Sequence, residues 1–204
     1  MIGVIDYGIG NVSSIVNMLK KIGVEAKLAK TPDDIESSDK IILPGVGSFD
    51  TGMKKLKASG LIGSILYHAN NNKPTLGICL GMQMLGYGSE EGVEQGLGLI
   101  PFKTVRFNLD ERYDLKIPHM GWDIVSIELE NDPVTSRIDG LQRYYFVHSY
   151  HAKCDNAENI LMSCVYGYSF PAAVRNKKIY GFQFHPEKSH KYGMKLLENF
   201  AKGV

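Results

Sequence analysis

Gly77-Ile78-Cys79-Leu80-Gly81 sets a thiol between two glycines, after the short apolar run Thr75 to Ile78 and before the helix-like run Leu80 to Leu85. A nucleophile flanked in this way at a strand-to-helix turn is the pattern of a nucleophile elbow, with Cys in place of Ser. The turn is sharp and strained, so small neighbours are needed to let backbone segments approach. It lifts the sulfur above the carboxyl end of a sheet and places it at a helix N-terminus, where the dipole favours thiolate. The Leu80 N–H then points at a substrate oxygen and supplies half of an oxyanion hole. The plainer reading is a buried cysteine in a glycine-flanked turn. A nucleophilic Cys needs a base, and the base needs an orienting group. Among the six histidines, His185 has the most telling context, Gly181-Phe182-Gln183-Phe184-His185-Pro186-Glu187. An apolar strand ends at His185, and in extended chain Glu187 faces the same way. Pro186 stiffens the backbone between them. A carboxylate at that spacing fixes the imidazole tautomer and stabilises imidazolium. The plainer readings are a hydrogen-bonded structural His and a solvated Glu.

Pro44-Gly45-Val46-Gly47-Ser48-Phe49 also follows a strand, and its glycines let backbone approach a ligand. It is either an ordinary strand-to-helix turn or the source of a second oxyanion N–H. Without a Gly-Lys-Ser/Thr ending it is not a phosphate loop. The three cysteines are too few for a disulfide scaffold and match no zinc spacing, so no metal is expected. Cys154 and Cys164 read as small buried hydrophobes.

The elements that must position these residues come from periodicity. Met1 to Tyr7 reads as a buried strand, and Val12, Ile15, Val16 and Leu19 recur at helical spacing. Val24 to Ala29 is a second strand, and Thr31-Pro32-Asp33-Asp34 starts a helix with a cap, a proline and acids in the first turn. Lys40 to Leu43 is a third strand, followed by helical patterns over Gly52 to Lys57 and Leu61 to Asn70, then the strand Thr75 to Ile78. This alternation implies a parallel sheet with helices on both faces. Strands dominate afterwards: Lys103 to Phe107, Ile124 to Leu129, Tyr144 to His148, Ile160 to Tyr166, Ala172 to Arg175 and Ile179 to Phe184. A helix from about Lys191 to Lys202 closes the chain. The expected architecture is a single α/β domain over residues 1–204, a central mostly parallel sheet flanked by helices with an added antiparallel section.

The 204 residues carry 23 Lys and Arg against 22 Asp and Glu, so no basic excess exists to bind nucleic acid. No apolar run approaches the roughly 20 residues that cross a bilayer. The N-terminus reads as a strand rather than a signal peptide, which points to the cytoplasm.

Gly-x-Cys-x-Gly-Met-Gln, Pro-Gly-Val-Gly and Phe-His-Pro-Glu-Lys, in this order, resemble a class I (triad) glutamine amidotransferase. Gly10-Asn11, Pro118-His119-Met120-Gly121-Trp122 and Tyr145-Phe146-Val147-His148-Ser149-Tyr150 are similar to the glutaminase subunits of imidazole glycerol phosphate synthases. The motifs span residue 3 to about 200. The resemblance implies that Cys79 attacks the side-chain carbonyl of L-glutamine to give a thioester and ammonia. It makes His185 the base and then the acid, with Glu187 orienting it. The Leu80 N–H and an N–H at Val46 or Gly47 would hold the oxyanion. Gln83 and Glu91 match glutamine-binding positions, and His148, Ser149 and Tyr150 match the wall that recognises the substrate backbone. Asn11, Met120, Trp122 and Lys188 match positions facing a cyclase (synthase) partner in a heterodimer; on the residues alone, Met120 and Trp122 read as core. No cofactor is implied. Three departures stand out: Asp123 where the family commonly has Asn, the glycine-rich Gly86-Tyr87-Gly88, and a longer Phe107 to Lys116 segment.

The chemistry itself calls for a partner, because ammonia is mostly protonated at neutral pH and only the neutral form is a nucleophile. Basal glutaminase is therefore expected to be low and activated by a loaded cyclase. The same motifs also resemble a paralogous branch that supplies ammonia for amidation of surface-polysaccharide sugars. A non-catalytic regulatory subunit with a relic elbow is opposed by the intact Cys79, His185 and Glu187. A Cys protease fits Gln83, Glu91 and the Pro-Gly-Val-Gly loop less well than a small amino acid does.

Overall fold

The computed structural model describes residues 1–110, 112 and 114–204. Glu111 and Tyr113, within the longer Phe107 to Lys116 segment, lie outside the described residues. The first half alternates as β1 (Ile2–Ile5), α1 (Val12–Lys21), β2 (Ala26–Ala29), α2 (Pro32–Glu36), β3 (Lys40–Leu43), α3 (Phe49–Ala58), α4 (Ile62–Asn70), β4 (Thr75–Ile78) and α5 (Leu80–Met84). The second half is β5 (Phe102–Arg106), β6 (His119–Ile127), β7 (Gln142–His148), β8 (Tyr150–Cys154), β9 (Ile160–Tyr166), β10 (Tyr168–Asn176), β11 (Ile179–Phe182) and α6 (His190–Gly203).

Among the described residues the main sheet has nine strands, ordered β2-β1-β3-β4-β11-β10-β9-β6-β7. Strands β2, β1, β3, β4 and β11 pair in parallel, and the rest pair antiparallel. β1, β4 and β11 are buried along their whole length, which is why their sequences are apolar runs without alternation. Two apolar clusters cover the sheet. One holds Ile15 and Leu19 of α1 with Leu196, Leu197 and Phe200 of α6. The other holds Phe49, Met53 and Leu56 of α3 with Ile65 of α4 and Leu80 of α5. Helix α2 begins as its sequence predicts: the Asp34 N–H donates to Thr31 Oγ1, and the Thr31 N–H donates back to Asp34 Oδ2.

Several element ends shift by up to four residues, as where β10 starts at Tyr168 rather than Ala172 and α3 at Phe49 rather than Gly52, and three departures matter for the site or its surroundings. β6 begins at His119, five residues before the expected Ile124, because Gly121 and the preceding Pro118 obscure its alternation. β8 was not anticipated; it follows β7 after the single corner residue Ser149, inside one aromatic-rich run. β8 leaves the main sheet and pairs antiparallel with β5 in a separate two-stranded sheet. Cys164 is buried as expected, whereas Cys154 is only half-buried.

Helix α5 packs very close to the end of β3. A Cβ built on Gly81 would lie 1.8 Å from the Leu43 carbonyl oxygen, and one on Gly77 would lie 2.6 Å from the Gly81 carbonyl oxygen. Both clashes are with backbone, which cannot step aside. Gly81→Ala is therefore expected to cost about 3 kcal/mol, read as a lower midpoint in urea unfolding of the full chain; an unchanged midpoint would mean that α5 moves freely against β3.

Candidate active site

Cys79 stands between β4 and α5, at φ 54° and ψ −113°, a positive φ that a non-glycine residue adopts only under constraint. The constraint is visible. The Cys79 N–H donates to the Phe182 carbonyl at the end of β11 (2.7 Å), and α5 starts at the next residue. Gly77 and Gly81 supply the closeness that the turn requires, so the Gly-x-Cys-x-Gly spacing follows from packing. The turn sets the thiol, 7% exposed, at the first turn of α5. Burial pushes the Cys154 and Cys164 thiols up to about 12.

His185 lies just past β11, the strand that pairs with β4, so its ring arrives beside the elbow. Its N–H donates to the Tyr145 carbonyl (2.9 Å), and its own carbonyl accepts from Ser189 Oγ (2.6 Å). His185 Nδ1 is 2.8 Å from Glu187 Oε1, and both side chains are buried. The sequence reading placed this pair on extended chain. Pro186 to Lys188 instead form a 3₁₀ turn, and the turn folds Glu187 back onto the ring. Burial opposes charge on His185, but Cys79 and Glu187 together outweigh it and raise the ring from its usual 6.5 to about 10. Nε2, the nitrogen on the Cys79 side, has no hydrogen-bond partner of ordinary geometry. Such contacts commonly tighten only when substrate arrives.

The two strand ends open into a pocket of about 330 Å³. Val46 and Gly47 enter it from the loop after β3, and Gly47 has φ +96°. Gln83 projects from α5, and Glu91 from the segment between α5 and β5. His148, Ser149 and Tyr150 form the opposite wall at the β7–β8 corner. Glu91 Oε2 accepts from the Phe49 N–H at the start of α3 (2.8 Å), which fixes a carboxylate at the rim. Gln83 Nε2 donates to the Tyr150 carbonyl and to Gln183 Oε1, both at 3.2 Å. The structure thus gathers Cys79, His185, Val46, Gly47, Gln83, Glu91 and the His148–Tyr150 wall around one cavity, with Glu187 behind His185 and Leu80 heading α5.

The remaining expected residues lie outside the pocket lining. Met120 is 61% exposed on β6, so the core reading fails for it. Trp122, half-buried, stacks on His190 at a 5.4 Å centroid distance. Lys188 is exposed, its Nζ 5.5 Å from the Tyr145 ring centre. Asn11 is exposed and caps α1. Sequence reasoning passed over Gln183, fully buried with Nε2 4.0 Å from Cys79 Sγ, although it stands two residues before His185. It also left His119 without a role. His119 is buried, and its Nδ1 lies 3.0 Å from His148 Nε2. Among the described residues no group of His, Cys, Asp and Glu is disposed to hold a metal ion, and no helix is long and apolar enough to cross a membrane.

Comparison with known proteins shows the family. The family model described as glutamine amidotransferase class-I matches residues 3–204. The chain belongs to the class I glutamine amidotransferases. It is 52% identical to imidazole glycerol phosphate synthase subunit HisH 2 of Pseudomonas aeruginosa over 205 residues, covering all of both chains. It is also 52% identical to the subunit of the same name from Methanococcus maripaludis, covering 99% of each. Among solved structures, it is similar to PurLQS from Thermotoga maritima (TM-score 0.76, 20% identity, covering 98% of this chain and 96% of that one). A second likeness is a glutamine amidotransferase structure with TM-score 0.72 at 20% identity, covering 96% and 97%. At these identities the solved structures speak to the fold alone, and the fold of the amidotransferase family is the one described above.

A ring whose pKa rises on folding stabilises the native state fully below its unfolded value near 6.5. That contribution is lost as pH climbs through about 10. The urea midpoint of the full chain is therefore expected to fall across this window. In Glu187→Gln the fall should finish at a lower pH; an unaltered profile would mean that Glu187 does not sustain the charge.

Proposed function

We propose that this chain is the glutaminase subunit of an imidazole glycerol phosphate synthase, a single amidotransferase domain that releases ammonia from L-glutamine and passes it to a cyclase partner in a heterodimer for histidine biosynthesis. The observation that carries the reading is the convergence of Cys79 and the His185–Glu187 pair at the ends of adjacent strands, over a cavity sized for one amino acid. A peptide substrate would need an open cleft rather than a 330 Å³ pocket, which disfavours a protease. The buried, charged His185 likewise disfavours a non-catalytic subunit.

In this reading Cys79 thiolate attacks the glutamine Cδ, and the carbonyl oxygen becomes an oxyanion held by the Leu80 N–H and an N–H at Val46 or Gly47. Collapse breaks the C–N bond, and the leaving nitrogen takes the His185 proton and departs as ammonia. A water then gives a proton to His185 and attacks the thioester, releasing glutamate and restoring the thiolate. Glu187 holds the ring and its charge throughout. Glu91 suits the substrate ammonium, and the His148–Tyr150 wall suits its backbone. Exposed Met120 and the Trp122–His190 stack, with Asn11 and Lys188, form the proposed contact with the cyclase.

A second reading keeps the chemistry and changes the acceptor to a sugar-pathway enzyme. The two relatives at 52% identity both carry the numeral 2 in their names, against 45% for a subunit of Sulfurimonas denitrificans named without one.

Glutamate release, measured with and without the cyclase of the same organism and its nucleotide ligand, separates these readings. Low basal release with strong ligand-dependent activation is expected. Activity that ignores this cyclase would move the chain to the second reading. Cys79→Ala should lose activity by about 10⁴-fold. Glu91→Gln should raise the glutamine KM by about tenfold, since a lost charged contact is worth roughly 1.4 kcal/mol or more. Unchanged kinetics in either variant would refute the role given to that residue.

A further inference from the structure

Two imidazoles run in series behind the pocket wall. His148 Nδ1 is 2.8 Å from the Tyr150 carbonyl oxygen, His148 Nε2 is 3.0 Å from His119 Nδ1, and His119 Nε2 is 2.7 Å from Asp123 Oδ2. Both rings are buried, while Asp123 reaches solvent with a side chain 41% exposed. The Tyr150 oxygen at one end only accepts, and a carboxylate at the other end only accepts. Three contacts need three protons, yet two neutral imidazoles hold two. The unit is fully bonded only when a third proton is present in the His119–Asp123 contact. In that state His148 Nδ1–H donates to the Tyr150 carbonyl. That carbonyl also accepts from Gln83 Nε2, and Gln83 leads through Gln183 to Cys79 Sγ.

We propose that Asp123 and His119 are positioning residues for the glutamine site: they hold His148 in the tautomer that fixes the Tyr150 carbonyl, and with it Gln83, at the pocket wall. The proposal rests on the reading of this pocket as a glutamine site. Its distinguishing feature is the third proton, which makes the positioning titratable. The ionisable groups facing the unit are His151 from β8, Cys164 from β9 and His185 across the pocket, and the Tyr166 ring of β9 stacks on His119 at 4.1 Å. Burial lowers His119, though Asp123 opposes this, and burial pushes His148 down to about 3. Both rings therefore yield the proton readily as pH rises. Once it leaves, two ring protons serve three contacts, one contact is left with two bare acceptors facing each other, and the series opens there. An asparagine at 123 would instead donate from Nδ2 to His119 Nε2, and every contact would then form with two ring protons.

The test captures Cys79 of the full chain with a chloroketone shaped like glutamine, read by intact mass, with Cys79→Ala as the control. The half-saturating concentration of the ketone is measured at pH 5 and 8 for the parent, Asp123→Asn and Asp123→Ala, because both rings give up the proton below the ordinary imidazole value. The parent should need about tenfold more ketone at pH 8 than at pH 5, Asp123→Asn should stay flat, and Asp123→Ala should need about tenfold more already at pH 5. The capture rate by iodoacetamide, which does not use the amino-acid subsite, should be alike in all three. Equal pH dependence in the parent and Asp123→Asn would overturn the positioning role while leaving the glutamine reading in place. A parent that iodoacetamide labels and the ketone does not would overturn both. Should Asp123→Ala melt early, the Asn comparison decides by itself.

Discussion

The site depends on how near one short helix can come to the end of a neighbouring strand. Helix α5 presses its first turn against the Leu43 carbonyl so closely that a single methyl group at Gly81 would overlap it. This approach holds Cys79 in its positive-φ turn and places the loop after β3 beside the thiol. Without that contact the elbow would relax, because nothing in the Cys79 backbone favours the conformation by itself. The two flanking glycines are thus consequences of packing, and the chemistry uses what the packing provides.

Around this point the fold maintains opposite charge states in neighbouring imidazoles. In His185 the neighbouring Cys79 and the buried Glu187 carboxylate outweigh burial and raise the ring to about 10, so charge is favoured. His148 and His151, packed among Phe107, Phe170 and Tyr168, are held neutral by burial. The difference lies in partners rather than depth. His185 has a carboxylate, while His148 and His151 have backbone carbonyls, which orient a neutral ring without favouring its charge.

What the sequence disclosed follows the reach of its signals. The elbow, the helix cap at Thr31 and the strands β3, β4 and β9 are written in short contiguous runs, and the structure shows them at the residues where they were read. His185 and Glu187 were legible as a pair because they are two residues apart, although the backbone joining them is a turn rather than extended chain. The start of β6 was hidden by Pro118 and Gly121, and β8 by a one-residue corner that leaves no Gly or Pro mark. Gln183 and His119 were illegible for another reason. Their importance arises from partners distant in sequence, Gln83 and Cys79 for one and His148 for the other, which only the sheet order brings together.

The sheet order also bears on how the chain acquires its chemistry during synthesis. β4, with the thiol at its end, leaves the ribosome early, but the strand that seats beside it, β11, is almost the last to emerge. Until β11 slides in between β4 and the antiparallel half of the sheet, the thiol has neither the Phe182 carbonyl that braces its turn nor the imidazole and carboxylate that follow. A nascent or truncated chain would therefore carry an inert cysteine. The elbow and its base are thus brought together by the last parallel strand to be made, far in sequence from the thiol that it serves.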